Sequence, residues 1–291
     1  MYSILAAAVT ALAVTLGTNA LTERTTKFQS STQAAGSDYD RILKRGTIRC
    51  GYVSNPPSSI IDPNTGKVSG IFAEAIERVA STLGLKVEWK EKVAFGSMIE
   101  GLLSDRYDMV PCGIWPDTAR AKQADFSTPL FFSGVGIYVR QDDDRFTNDL
   151  SAINSPDVKI ATIDGEMAAT IARNDFPKAQ RVELPQLTEI TTMLLNVQQK
   201  KADVAFVEPY FAYKYMQSNP NSLKRIDKRP IRVFPNTIMI RKNQYELKAT
   251  IDTALREMVY TTGIADSLIN KYEPEPGIFY RLNPPYSMPS K

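Results

Sequence analysis

Two hydrophobic rhythms alternate along this chain. Short apolar or every-second runs occupy 47–52, 87–89, 109–110, 134–139, 158–163, 182–184, 204–207 and 231–240, and these read as strands. Between them lie helical spacings. Ile71, Phe72, Ala75, Ile76, Val79, Ala80 and Leu83 form one stripe that Gly84 closes, and Phe95, Met98, Ile99, Leu102 and Leu103 form the next. Helices also follow at 167–174, over Ile190, Met193, Leu194 and Val197, and after Glu208-Pro209, where proline suits a first turn. One long helix is expected over 247–272.

Strands alternating with helices predict an α/β protein with parallel sheets. The pattern divides into lobe 1 (39–132 plus 237–272) and lobe 2 (135–231). Two extended segments cross between them, which makes a hinge suited to closing on a ligand. Residues 1–20 are apolar and end in the small residues Thr18 and Ala20, as an export signal does. They contain no Lys or Arg, so an uncleaved anchor or a mis-set start are the rival readings. Residues 21–38 read as a polar, flexible leader, and 273–291, with five prolines, as a tail that is not regular helix.

Composition narrows the chemistry. The 291 residues carry 35 basic and 32 acidic side chains, with no long basic run interleaved with aromatics, so nucleic acid is not an expected partner. The chain has no histidine and two cysteines, Cys50 and Cys112. Histidine-based catalytic units are therefore excluded, and so are zinc sites of the thiolate type. No metal or cofactor is expected. Each cysteine precedes a glycine, and Cys112-Gly113 reads as a turn at a strand end. An inter-strand disulfide and two buried thiols are both open readings.

The most informative segment is 108–126, DMVPCGIWPDTARAKQADF. Arg120 there follows a buried strand, and in open α/β sheets ligands bind beyond the carboxyl ends of strands. A guanidinium at that place can hold a carboxylate through two parallel hydrogen bonds. This segment resembles the D-x-x-x-x-G-x-x-x-T-x-x-R-x-x-x-x-x-F-S region of the type-3 solute-binding proteins, the amino-acid receptors of ABC importers. Further anchors match in order over about 40–272: GTIRCG at 46–51, GKVSGIF at 66–72, DFSTP at 125–129 and KADVAFVE at 201–208.

The resemblance implies a two-lobe periplasmic-binding-protein-like fold of type II, each lobe a mainly parallel sheet flanked by helices, joined by a two-strand hinge. It implies that Arg120 grips a ligand α-carboxylate and that Glu208 receives the α-ammonium. Backbone N–H groups near Trp115, Asp117 and Gly165, Glu166 and Met167 are expected to add donors. Asp117 and Glu166 stand where the family commonly has Thr or Ser; an acid at 117 would repel a carboxylate unless it faces away or pairs with Arg120, and three acids around one cleft would tolerate a ligand with extra positive charge or equally point to solvent. The family's aromatic walls are replaced here by Asn55 and Ile71, with Phe95, Trp115 and Tyr210 as substitutes. The expected protein is a monomer in the periplasm or secreted, delivering a small amino-acid-like molecule to an ABC permease. Two alternatives stay open: a dehydratase of prephenate or arogenate on the same scaffold, and a sensor that touches a membrane receptor.

Overall fold

The computed structural model describes residues 37–282. The segment read as an export signal, most of the leader and the end of the tail lie outside these. Helix α1 (Asp38–Arg45) was not expected. Ser37 caps it, its Oγ accepting from Asp40 N–H at 3.2 Å.

The chain continues as β1 (Thr47–Tyr52), the antiparallel pair β2 (Ile60–Ile61) and β3 (Val68–Ser69), and α2 (Ile71–Thr82). Then come β4 (Lys86–Lys92), α3 (Met98–Leu103), β5 (Met109–Ile114), the single turn α4 (Thr118–Ala121) and β6 (Ala124–Phe126). Strand β7 (Phe131–Arg140) crosses to the second lobe. That lobe contains β8 (Lys159–Ile163), α5 (Met167–Asp175), β9 (Gln180–Leu184), α6 (Thr191–Gln198), β10 (Val204–Val207), α7 (Pro209–Ser218) and β11 (Leu223–Arg225). Strand β12 (Arg232–Arg241) returns, and α8 (Tyr245–Tyr260), α9 (Ile264–Tyr272) and β13 (Phe279–Tyr280) follow.

The main sheet has the order β4-β1-β5-β12-β7-β10-β8-β9. Strand β1 runs parallel to β4 and β5, and β8 runs parallel to β9 and β10. Strand β5 is buried at every position, the pattern of a strand covered on both faces. Edge strand β4 alternates exposed and half-buried residues, and its charged side chains blunt the open edge. The two crossings pair with each other antiparallel, from Arg232↔Val135 to Asn236↔Phe131, so the predicted hinge is a hydrogen-bonded ribbon. Each lobe has its own core: Met98, Leu102, Tyr107 and Val110 in the first, and Ile137, Ile160, Leu194 and Phe206 in the second.

Three expectations are corrected. Cys112-Gly113 does not turn, because β5 runs on through Ile114. Gly113 adopts φ 70° there, and a side chain on it would strike Ser58. Phe95 lies in the turn before α3 rather than inside the helix. The long terminal helix is two, since Gly263 in the left-handed region (φ 66°) separates α8 from α9. Part of the proline-rich tail is ordered: β13 pairs with Phe132 and Ser133 of the hinge.

Cys50 and Cys112 are both free and fully buried, on neighbouring strands. Burial pushes the Cys112 thiol up to about 11 and raises Cys50 as well, so both behave as inert, apolar fillers. Asp108, 4% exposed, anchors the start of β5. It accepts from Arg45 Nη2 at 2.5 Å, Arg49 Nη2 at 2.8 Å and Arg49 N–H at 2.8 Å.

Candidate ligand-binding site

Between the lobes lies a cavity of about 500 Å³, including its opening to solvent. Seven of the eleven residues singled out from the sequence line it: Asn55, Phe95, Trp115, Arg120, Glu166, Met167 and Glu208.

Arg120 sits on α4, a single turn that Asp117 caps by accepting Arg120 N–H at 2.9 Å. Its guanidinium is held at three points. Nη1 donates to Trp115 O at 3.0 Å, Nη2 donates to Gly165 O at 3.0 Å, and Nε lies 3.3 Å from Asp117 Oδ2. A guanidinium has five N–H donors, so each terminal nitrogen keeps one for a ligand. Burial lowers the Arg120 pKa, opposed by Asp117 and Glu166, and arginine stays charged throughout. Asp117 therefore orients Arg120 from outside the cavity and is not itself a wall residue.

Gly165, in the opposite lobe, supplies the carbonyl that completes this clasp. Its φ is +77°, and a Cβ on it would come within 2.6 Å of Gly96 Cα. The lobes thus touch glycine to glycine beside Arg120, where only hydrogen side chains fit. Glu166 is the N-cap of α5, its Oε2 accepting Ala168 N–H at 2.6 Å. Burial raises its pKa, opposed by the N–H groups of Ala168 and Met167 and by Arg120. The α5 N-terminus, an expected donor to a ligand anion, is thus partly satisfied by this chain's own carboxylate.

Glu208 stands at the N-cap position of α7, yet its side chain makes no cap hydrogen bond, and Pro209 needs none. The carboxyl is left to the cavity. Burial, then the neighbouring Glu166, push it up to about 8, with a hydrogen bond from Ser133 acting against them. The hinge supplies this last contact through a chain that sequence reasoning missed. Trp115 Nε1–H donates to Asn236 Oδ1 at 3.1 Å, and Asn236 Nδ2 donates to Ser133 Oγ at 2.9 Å. An indole N–H only donates, so every donor in the chain points toward Glu208. Trp115 also stacks on Phe234, centroids 4.4 Å apart and planes at 13°. The one available signal was a polar residue inside each apolar hinge run, Ser133 and Asn236.

Ile71 and Tyr210 are not brought to the cavity. Ile71 begins α2 fully buried in the core, its N–H bonded to Pro57 O at 2.9 Å. Tyr210 stacks on Phe279 of the tail at 6.4 Å and meets Phe211 edge-on. The remaining wall, also missed, is apolar and comes chiefly from the second lobe: Ala168, Ile171, Met193, Phe206 and Phe211. Among the described residues no group of three or more His, Cys, Asp or Glu could hold a metal ion. None of their helices is long and apolar enough to cross a membrane.

Two α/β lobes on a paired-strand hinge, with an arginine and two buried carboxyl groups facing one cavity between them, define a solute-binding protein. The chain belongs to the bacterial extracellular solute-binding proteins, family 3, which it matches over residues 48–275. A probable amino-acid ABC transporter-binding protein of Haemophilus influenzae is 28% identical over 191 residues, 65% of this chain and 70% of that protein. The L-cystine-binding protein TcyA of Bacillus subtilis is 27% identical over 235 residues, 79% of this chain and 83% of its own. Among solved structures, an ancestral amino acid-binding protein described as a precursor of cyclohexadienyl dehydratase superposes with a TM-score of 0.71 at 27% identity. It spans 81% of this chain and 99% of its own. Type II binding-protein architecture is thereby shared with proteins of this class.

Proposed function

We propose that this protein captures a small α-amino acid or close derivative outside the cytoplasm and hands it to an ABC permease. Arg120 receives the carboxylate on its two remaining donors, and Glu208 receives the ammonium. The reading rests on one observation above others: an arginine and a carboxyl that makes no cap hydrogen bond line one cavity from opposite lobes. A ligand that joins the two charges holds the lobes together, which a permease can recognise as the loaded state. The names of the relatives support an amino acid as the cargo. The protein works as a monomer without a cofactor. Thermal-shift screening over amino acids tests the reading, with Arg120→Ala as control. A ligand whose stabilisation survives that change would remove the carboxylate clamp.

A second reading draws on the same carboxyl. Glu208, pushed up to about 8, is mostly protonated at neutral pH and can act as a general acid. Dehydration of prephenate or arogenate needs such a group, and a neighbouring structure is described as a precursor of that enzyme. Incubation with prephenate and with arogenate decides between the two: product formation that Glu208→Gln abolishes favours the enzyme, and no turnover favours the binder.

A further inference from the structure

We propose that the ligand's side chain is uncharged and apolar, and that the second lobe houses it between α5, α6 and α7. This rests on the zwitterion reading and names the class of cargo within it.

The cavity is chemically divided. Its charged wall residues, among those described, are Arg120, Glu166 and Glu208. Glu166 already accepts Ala168 N–H, and Asp117, outside the wall, is paired with Arg120. Once a carboxylate occupies Arg120 and an ammonium occupies Glu208, the other charged wall residue among those described is Glu166, whose carboxyl is committed to the Ala168 and Met167 N–H groups at the start of α5. The other side is continuous hydrocarbon and thioether. Met167, Ala168 and Ile171 line it from the first turns of α5, Met193 from α6, Phe206 from β10 and Phe211 from α7. All six are at most 6% exposed and belong to the core of the second lobe. A guanidinium, ammonium or carboxylate pushed among them would lose its hydration and find no partner. An aliphatic, thioether or aromatic group would gain by leaving water, and methionine walls adapt to its shape.

From the sequence, acids at 117, 166 and 208 left open both an extra positive charge on the ligand and side chains turned to solvent. In the structure Asp117 is paired with Arg120 and Glu166 caps α5, so both carboxyls have partners inside the protein.

The test is titration calorimetry of the protein with near-isosteric pairs, norleucine against lysine and leucine against aspartate, with alanine as the short reference. The apolar member of each pair is expected to bind at least about tenfold tighter. Ala168→Leu should weaken norleucine by about tenfold relative to alanine by filling the wall, and Ile171→Ala should improve phenylalanine relative to alanine. Thermal melts confirm that each variant folds. Lysine or arginine binding as tightly as norleucine overturns the inference and leaves the zwitterion reading intact. Wall variants that move alanine and norleucine equally overturn it too. No binding of any α-amino acid overturns both.

Discussion

Affinity for an amino acid should climb steeply with pH, because the group that receives the ammonium is mostly protonated when the site is empty. Glu208 is pushed up to about 8, first by burial and then by Glu166. A cationic head needs the ionised form, so binding at pH 7 must expel a proton. If only ionised Glu208 accepts the ligand, affinity is reduced by a factor of 1 + 10^(pKa − pH). That is about a hundredfold at pH 6, about tenfold at pH 7 and about twofold at pH 8. Affinity should therefore rise about fiftyfold between pH 6 and pH 8. Calorimetry in two buffers of different ionisation enthalpy should count about one proton released per ligand near neutrality. Glu208→Gln should bind more weakly and flatten the profile. A flat wild-type profile, or the same slope in Glu208→Gln, would refute the assignment.

The empty protein should show the opposite trend. A carboxyl whose pKa is raised by folding holds its proton more tightly in the folded state than in the unfolded chain. That contribution is fully present below the ordinary value of 4.5 and is lost as pH rises toward 8. Ligand-induced thermal stabilisation should consequently grow with pH while the unliganded melting temperature declines over the same window.

Arg120→Ala should cost at least about tenfold in affinity, since each charged hydrogen bond contributes roughly 1.5–3 kcal/mol; calorimetry reads this directly. Gly165→Ala places a Cβ 2.6 Å from Gly96 Cα at φ +77°, so the lobes should fail to close. Small-angle scattering with ligand should show a larger radius than wild type, and affinity should fall with it. Ser133→Ala removes a donor to the Glu208 carboxylate and should move the midpoint of the affinity–pH profile upward. Asp108→Ala removes the acceptor of Arg45, Arg49 and the Arg49 N–H and should destabilise the fold by about 1–3 kcal/mol in chemical denaturation, with little change in ligand affinity.

Much of the architecture was legible in the chain because its signals are local. The strand at 204–207 and the helix from Ile71 announce themselves through periodicity, and Pro209 marks its helix start. Glu208 stood out because it directly follows a buried strand, and Arg120 because it lies a few residues beyond another, where an α/β sheet presents side chains to a cleft. The errors share one cause. Cys112-Gly113 looked like a turn because glycine permits one, but here glycine makes room for Ser58, a neighbour 55 positions away. Ile71 and Tyr210 looked like wall candidates because a buried apolar side chain reads the same whether it faces a core or a cavity.

By itself the sequence determined the order of elements, the two crossings and the two ionisable groups singled out for the cleft, since these depend on residue type and short-range spacing. Tertiary structure decided the rest. It decided that Asp117 braces Arg120, joined Trp115, Asn236 and Ser133 into one donor chain, and opened an apolar wall in the second lobe. Those outcomes depend on how the two hinge strands register and how closely the lobes meet at Gly96 and Gly165. Such distances join residues far apart in the chain, and local periodicity carries no information about them.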